Sequence, residues 1–203
     1  MAKIGILLGI VCLVIIDCSG LFGRFTIGRS GLIGRGTEVV AAQKPLALSS
    51  KNAAQFASQA KVLSVATEEI GVRELTGKND GLRVEQYLAY TGLGKGNPWC
   101  AAFVSWVYNK SGYSKPRTAW SPALFPAQRI TAKPQPADVL GIYFPTLKRI
   151  AHCGIVERCI GDWVVSIEGN TNVSGSREGD GVYRKWRHQK TIHTYARWLD
   201  KIK

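Results

Sequence analysis

The hydrophobic pattern of this chain changes period once, and that change restricts the fold more than any single residue does. From about residue 52 to residue 110 the apolar side chains recur at helical spacing. After "KPQPAD" three stretches, "DVLGIYF", "IAHCGIVERC" and "WVVSIEGN", are short, rich in β-branched or aromatic residues and separated by turn material. The first part therefore predicts helices and the second predicts three consecutive antiparallel strands, an α+β chain with N-terminal helices packed on a C-terminal sheet. With 203 residues, 45% of them hydrophobic, there is material for one sizeable core, and one folded unit is expected.

The segment ahead of that unit has a different character. Residues 4–16 are an unbroken apolar stretch, shorter than the roughly 20 residues a membrane-spanning helix requires. Residues 1–20 are expected to be a signal peptide or N-terminal anchor, with small residues for cleavage at Cys18-Ser19-Gly20 and again at Val40-Ala41-Ala42. Arg24, Arg29 and Arg35 follow the apolar stretch and argue against an uncleaved anchor that holds the body outside, and Asp17 argues against lipid attachment at Cys18. Residues 21–50, Gly- and Ser-rich with spaced arginines, are expected to be a flexible basic linker, and residues 51–203 the folded domain. Export to the periplasm, cell envelope or medium follows, with membrane association available through the apolar segment.

Lys and Arg number 27 against 14 Asp and Glu, a formal charge of +13. Such a surface attracts polyanions: nucleic acid, anionic lipid or acidic wall polymer. The chain carries no helix-turn-helix, zinc-finger or base-stacking signature, so nucleic acid is not the expected partner.

Asn52 is expected to cap a helix running to Ile70 with Phe56, Ala60, Leu63, Ala66, Thr67 and Ile70 on one face, and residues 81–90 to form a second, with Leu82, Tyr87 and Leu88 packing. The stretch "NPWCAAFVSWVY" predicts a third. Pro98 suits its first turn, Trp99, Phe103, Trp106 and Val107 share a face, and Ser105 and Asn109 point away. Cys100 then lies where unpaired backbone N–H groups and the helix dipole favour a thiolate. The competing reading is a small apolar core residue.

A thiolate nucleophile needs a base, and the base needs an orienting group. Of three histidines, His152 falls within the second expected strand, about 50 residues beyond Cys100, while His188 and His193 belong to a basic tail, "YRKWRHQKTIH", that reads as a solvated face. Glu168 and Asn170, two apart near the end of the third strand, share a face and can stand beside the imidazole.

Together "NPWCAAFVSWVY", "PADVLGIYF", "AHCGIV" and "EGNTN" resemble the CHAP domain, the cysteine, histidine-dependent amidohydrolase/peptidase branch of the papain-like superfamily. The similarity runs over roughly residues 55–190 and takes in "GVRELTGKNDG" and "DGVYRKWR". It implies a papain-like fold in which Cys100 attacks an amide carbonyl, His152 is base and then acid, Glu168 orients His152, and Asn170 assists the ring or the oxyanion. The implied substrate is peptidoglycan or its muropeptides, cut at the sugar-to-peptide amide or within the peptide, by a monomer without metal or cofactor. Trp99, Trp120 and Trp163 are candidates for contacting a sugar or stem peptide, and Asn79 and Asp80 for lining the cleft or merely making a turn. The alternatives are a papain-like amidase or peptidase on another substrate, such as a toxin, and a non-catalytic basic wall- or nucleic-acid-binding protein.

Two departures from the family pattern stand out. Ala137 precedes Asp138 where such lead-ins often have Gly, a change that a strand start is expected to tolerate. Cys153, adjacent to His152, is expected to point away from the site into the core, and Cys100, Cys153 and Cys159 are all expected to be reduced.

Overall fold

The computed structural model describes residues 49–174 and 179–199, so the expected signal peptide and almost all of the expected linker lie outside the described residues. Three helices, α1 (Ser50–Glu68), α2 (Leu82–Tyr90) and α3 (Cys100–Lys110), precede six strands: β1 (Ile130–Thr131), β2 (Val139–Phe144), β3 (Arg149–Ile160), β4 (Trp163–Thr171), β5 (Gly181–His188) and β6 (Thr194–Ala196). All pairings are antiparallel, in the order β1-β6-β2-β3-β4-β5. The three strands expected from the sequence are β2, β3 and β4, joined as a meander at the centre of the sheet. The fold is α+β.

Strand alternation gives the sheet two faces. Val139, Cys153, Ile155 and Ile167 turn towards the helices and join the main core. Leu140, Val156, Cys159 and Val164 form a smaller cluster on the opposite face with Ile142, Ile192 and Tyr195.

Helix α3 lies between this sheet and the other two helices, and every residue from Cys100 to Tyr108 is buried. Of the two residues expected to point away from the core, Asn109 is exposed but Ser105 is not. Ser105 is fully buried and is satisfied by the backbone of Thr118, donating to its carbonyl at 2.8 Å and accepting from its N–H at 3.0 Å. The helix also starts later than expected: Trp99 is its N-cap and Cys100 its first residue, leaving Pro98 outside. Close approach to the sheet occurs at Gly169, where an added Cβ would lie 2.6 Å from the Trp99 ring and 2.7 Å from Phe103.

Helix α1 departs from its expected form in two ways. Ser49 is the cap, accepting from the Asn52 N–H at 3.4 Å, and the fully buried residues are Val62 and Ala66, with Phe56 left 39% exposed. In α2, Val84 joins Tyr87 and Leu88 in the core while Leu82 is 83% exposed, because Leu82 opens the helix on its solvent side. The basic tail is not simply a solvated face. Its first part is β5, paired along β4, and this places Arg187 on the same face as Val164, Ser166 and Glu168.

The Ala137 backbone has φ 69°, in the left-handed region. It is fixed there because its N–H donates to the Val156 carbonyl at 2.8 Å and its own carbonyl accepts the buried Tyr108 hydroxyl. The alanine is accommodated at a cost, not freely. Ala137→Gly should stabilise the fold by about 1 kcal/mol, the left-handed penalty of a Cβ less the added freedom of the unfolded chain, measured as the shift in urea midpoint at unchanged slope.

Candidate active site

The site is organised around a buried carboxylate. Glu168 is fully buried on β4, and four donors fill its two oxygens. Oε1 accepts from Ser166 Oγ at 2.6 Å and Arg187 Nε at 2.9 Å, and Oε2 faces Arg187 Nη2 at 2.6 Å and His152 Nε2 at 2.8 Å. Room for this side chain comes from Gly154, where a Cβ would lie 2.4 Å from Glu168 Cγ. Burial alone would raise the carboxyl pKa, but the hydrogen bonds and positive charge of Arg187 and His152 hold it well below the usual carboxylate range.

His152 comes from β3, just beyond an irregularity in its pairing with β2. Ile142 pairs with His152 but Tyr143 pairs with Ile150, which leaves Ala151 as the extra residue of a bulge. With Nε2 against Glu168, Nδ1 is the nitrogen left for the sulfur. Burial pulls the imidazole pKa down, but hydrogen bonds with Cys100 and Glu168 and the charges of both outweigh it, so His152 is pushed up to about 9. Cys100 moves the other way. A hydrogen bond from Cys153 lowers its pKa, burial opposes, and the hydrogen bond and charge of His152 and a hydrogen bond from Ser121 carry it well below the ordinary thiol value. The favoured state at neutral pH is a thiolate–imidazolium pair.

Ser121 Oγ stands 3.3 Å from Cys100 Sγ. It opens a short 3-10 helix, Ser121–Leu124, whose approach is fixed by Ser105 on α3 and by Thr118 Oγ1, which accepts from the Trp120 N–H at 3.0 Å. Among the described residues no side chain caps α3, so the first-turn N–H groups of the helix that carries the sulfur have no capping partner.

Cys153 requires a correction. Strand parity does send it to the core side, but α3 occupies that side and brings Cys100 with it, so the two thiols share one buried cluster and influence each other's ionisation. Burial and the neighbouring Cys100 push the Cys153 pKa well up, which keeps it a neutral S–H donor to the thiolate. Cys100 and Cys153 are free, whereas Cys159 is disulfide-bonded, contrary to the expectation that all three are reduced.

Among the other anticipated residues, Asn170 is at the end of β4 with φ 53°, where the β4–β5 register shifts between Glu168 and Thr171. That irregularity ends the simple alternation by which Glu168 and Asn170 were expected to share a face. Trp99 is fully buried, its indole N–H donating to Glu74 Oε1 at 2.8 Å, and so is a packing residue and not a cleft wall. Asn79 donates its backbone N–H to Glu74 Oε2 at 2.8 Å, tying its loop to the same carboxylate. Asp80 accepts from the Thr76 N–H and hydroxyl at 2.9 and 2.7 Å, a turn-stabilising role. Trp120 is 53% exposed beside Ser121, while Trp163 meets His188 edge-to-face with ring centres 5.2 Å apart. The sequence reading missed Ser121, Ser166 and Arg187. For Arg187 a signal existed: "GVYRKWRH" alternates as a strand.

No family model and no curated protein matches the chain. Two solved structures show a distant likeness. "The crystal structure of Ly7917" gives a TM-score of 0.40 at 16% identity, over 68% of this chain and 60% of that one. "The crystal structure of Ly7917 with the hydrolyzing product of MDP" gives 0.38 at 16% identity, over 68% and 61%. This chain thus spans about three fifths of the length of those it matches, and at such scores the likeness carries no argument about activity.

Two outcomes follow from the geometry. Cys153→Ala should raise the pKa of Cys100 by removing a donor to the thiolate, while Cys153→Ser, which keeps a donor, should move it much less; the pH dependence of iodoacetamide alkylation reads both. Arg187→Met should cost about 3 kcal/mol in urea denaturation by leaving Glu168 buried without its strongest partner. Because the folded carboxyl pKa is depressed, Glu168 contributes fully above its ordinary value of 4.5 and loses that contribution as pH falls towards the folded value. In the variant the folded value moves back towards 4.5, so this pH-dependent loss should be smaller and complete at higher pH.

Proposed function

We propose that the protein is a cysteine-dependent amidase or endopeptidase with a papain-like catalytic arrangement, acting on peptidoglycan or its muropeptides. The observation that carries the reading is the 2.8 Å contact of His152 with a fully buried Glu168, on an imidazole that is also the partner of a thiolate at a helix start. The sequence resemblance to CHAP domains points to the wall substrate, and a charge of +13 suits a polymer bearing carboxylates and phosphates.

In this mechanism the Cys100 thiolate adds to the amide carbonyl, and first-turn N–H groups of α3 receive the developing oxyanion. His152 gives its Nδ1 proton to the departing amine, breaking the C–N bond and leaving an acyl-enzyme. The now neutral imidazole takes a proton from water, whose oxygen attacks the thioester and returns the thiolate. Glu168 accepts from Nε2–H throughout, and Arg187 and Ser166 keep it anionic and fixed.

Purified protein should release new termini from peptidoglycan, identified by mass spectrometry of the soluble fragments. Cys100→Ala should reduce release on the order of a thousandfold or more with an unchanged melting temperature; undiminished release would end the assignment. The pH profile of kcat/KM should rise at acid pH as Cys100 ionises, stay level through neutrality, and fall as pH climbs through about 9, where His152 loses the proton needed by the leaving group.

A further inference from the structure

Arg149, at the start of β3, differs from the guanidiniums that serve the fold. Arg83, Arg184, Arg187 and Arg197 each pair with a carboxylate. Arg149 is half-buried, and among the described residues its one hydrogen bond goes to the Ile150 carbonyl at 3.2 Å, with no carboxylate paired to it. Its guanidinium carbon lies 4.3 Å from the centre of the Trp120 ring, which itself is 53% exposed. Stacking on an indole face orients the planar group and shields it on one side, yet leaves its charge uncompensated and most of its N–H edge open.

The position of this pair is what gives it meaning. Trp120 is bonded directly to Ser121, whose hydroxyl is 3.3 Å from the Cys100 sulfur. Arg149 is three residues before His152 and, because Ala151 is the extra residue of the bulge, only two register steps from it, roughly 7 Å along the strand. Two independent connections, one through the loop and one through the sheet, thus place the same unpaired cation two or three peptide units from the reacting sulfur. A planar fork of N–H donors with no acid of its own matches a carboxylate, bound bidentately.

We propose that Arg149 and Trp120 form a carboxylate-binding subsite that recognises an acidic residue of the substrate near the scissile amide. The proposal rests on the hydrolase reading of the same centre and adds the substrate chemistry: a peptide with a free carboxylate two or three units from the bond. Trp120 serves as the platform for the guanidinium, and a sugar stacked on it would meet only the ring face that Arg149 leaves open.

The test is a binding titration on Cys100→Ala, which separates recognition from chemistry. The probes are acetyl-alanyl-γ-D-glutamyl-amide, with its free carboxylate, and the same peptide with that carboxylate amidated, followed through the Trp120 indole N–H in nitrogen-15 spectra. The acidic peptide should bind about tenfold more tightly than the amide, the scale of one charge-assisted hydrogen-bonded pair, and should shift the Trp120 resonance. Adding Arg149→Gln should erase that preference while leaving the melting temperature in place. Equal affinity for the two peptides, or a preference that survives Arg149→Gln, overturns the subsite. Cleavage is scored separately with the intact protein on peptidoglycan. A protein that cleaves without discriminating loses the subsite alone, and one that discriminates without cleaving loses the hydrolase reading alone.

Discussion

The rest of the site depends on the burial of one charge. A lone carboxylate with no access to water would take up a proton, and Glu168 avoids this only because each of its oxygens meets two donors, from Ser166, Arg187 and His152. The consequence spreads outward as alternating charge: guanidinium, carboxylate, imidazolium, thiolate. Each group stabilises the ionised form of the next, and the row as a whole is neutral. A site can thus hold four ionised groups in a largely buried place without the field of a net charge.

The other half of the arrangement is mechanical. Helix α3 carries the sulfur and is gripped on every side, so the position of Cys100 is set by the main core. Ser105 in the middle of that helix fastens the segment that delivers Ser121 to the sulfur. Glu74 does comparable work ahead of the helix, holding the Trp99 indole with one oxygen and the Asn79 backbone with the other. Neither Trp99 nor Asn79 need touch a ligand to matter to the geometry.

The hydrophobic periods made the three helices and the central meander legible, because α2 and β2 to β4 each bury a face that their spacing announces. Cys100, His152 and Glu168 could be picked out from local context, the first by its place behind Pro98 and the other two by strand placement. What the sequence withheld was mostly about neighbours. The pairing of β5 on β4 decides that Arg187 faces Glu168, and no local pattern encodes that register. The nearness of Cys153 to Cys100 depends on which face of the sheet α3 covers. Ser105 looked like a solvent-facing residue because its partner, Thr118, belongs to an irregular segment with no periodicity to read.

The missing side chain at Gly154 has a consequence of its own. Glu168 lies in the space a methyl group would occupy at that position, and its carboxylate is fixed there by the four donors around it. The imidazole is therefore aimed in the free protein, and arrival of a substrate demands little rearrangement of the groups that move the proton. What must adapt on binding lies at the outer rim, where Trp120 and Arg149 meet solvent. On the proposed reading, selectivity and chemistry fall to separate parts of one surface, and the rim can change without disturbing the buried charges behind it.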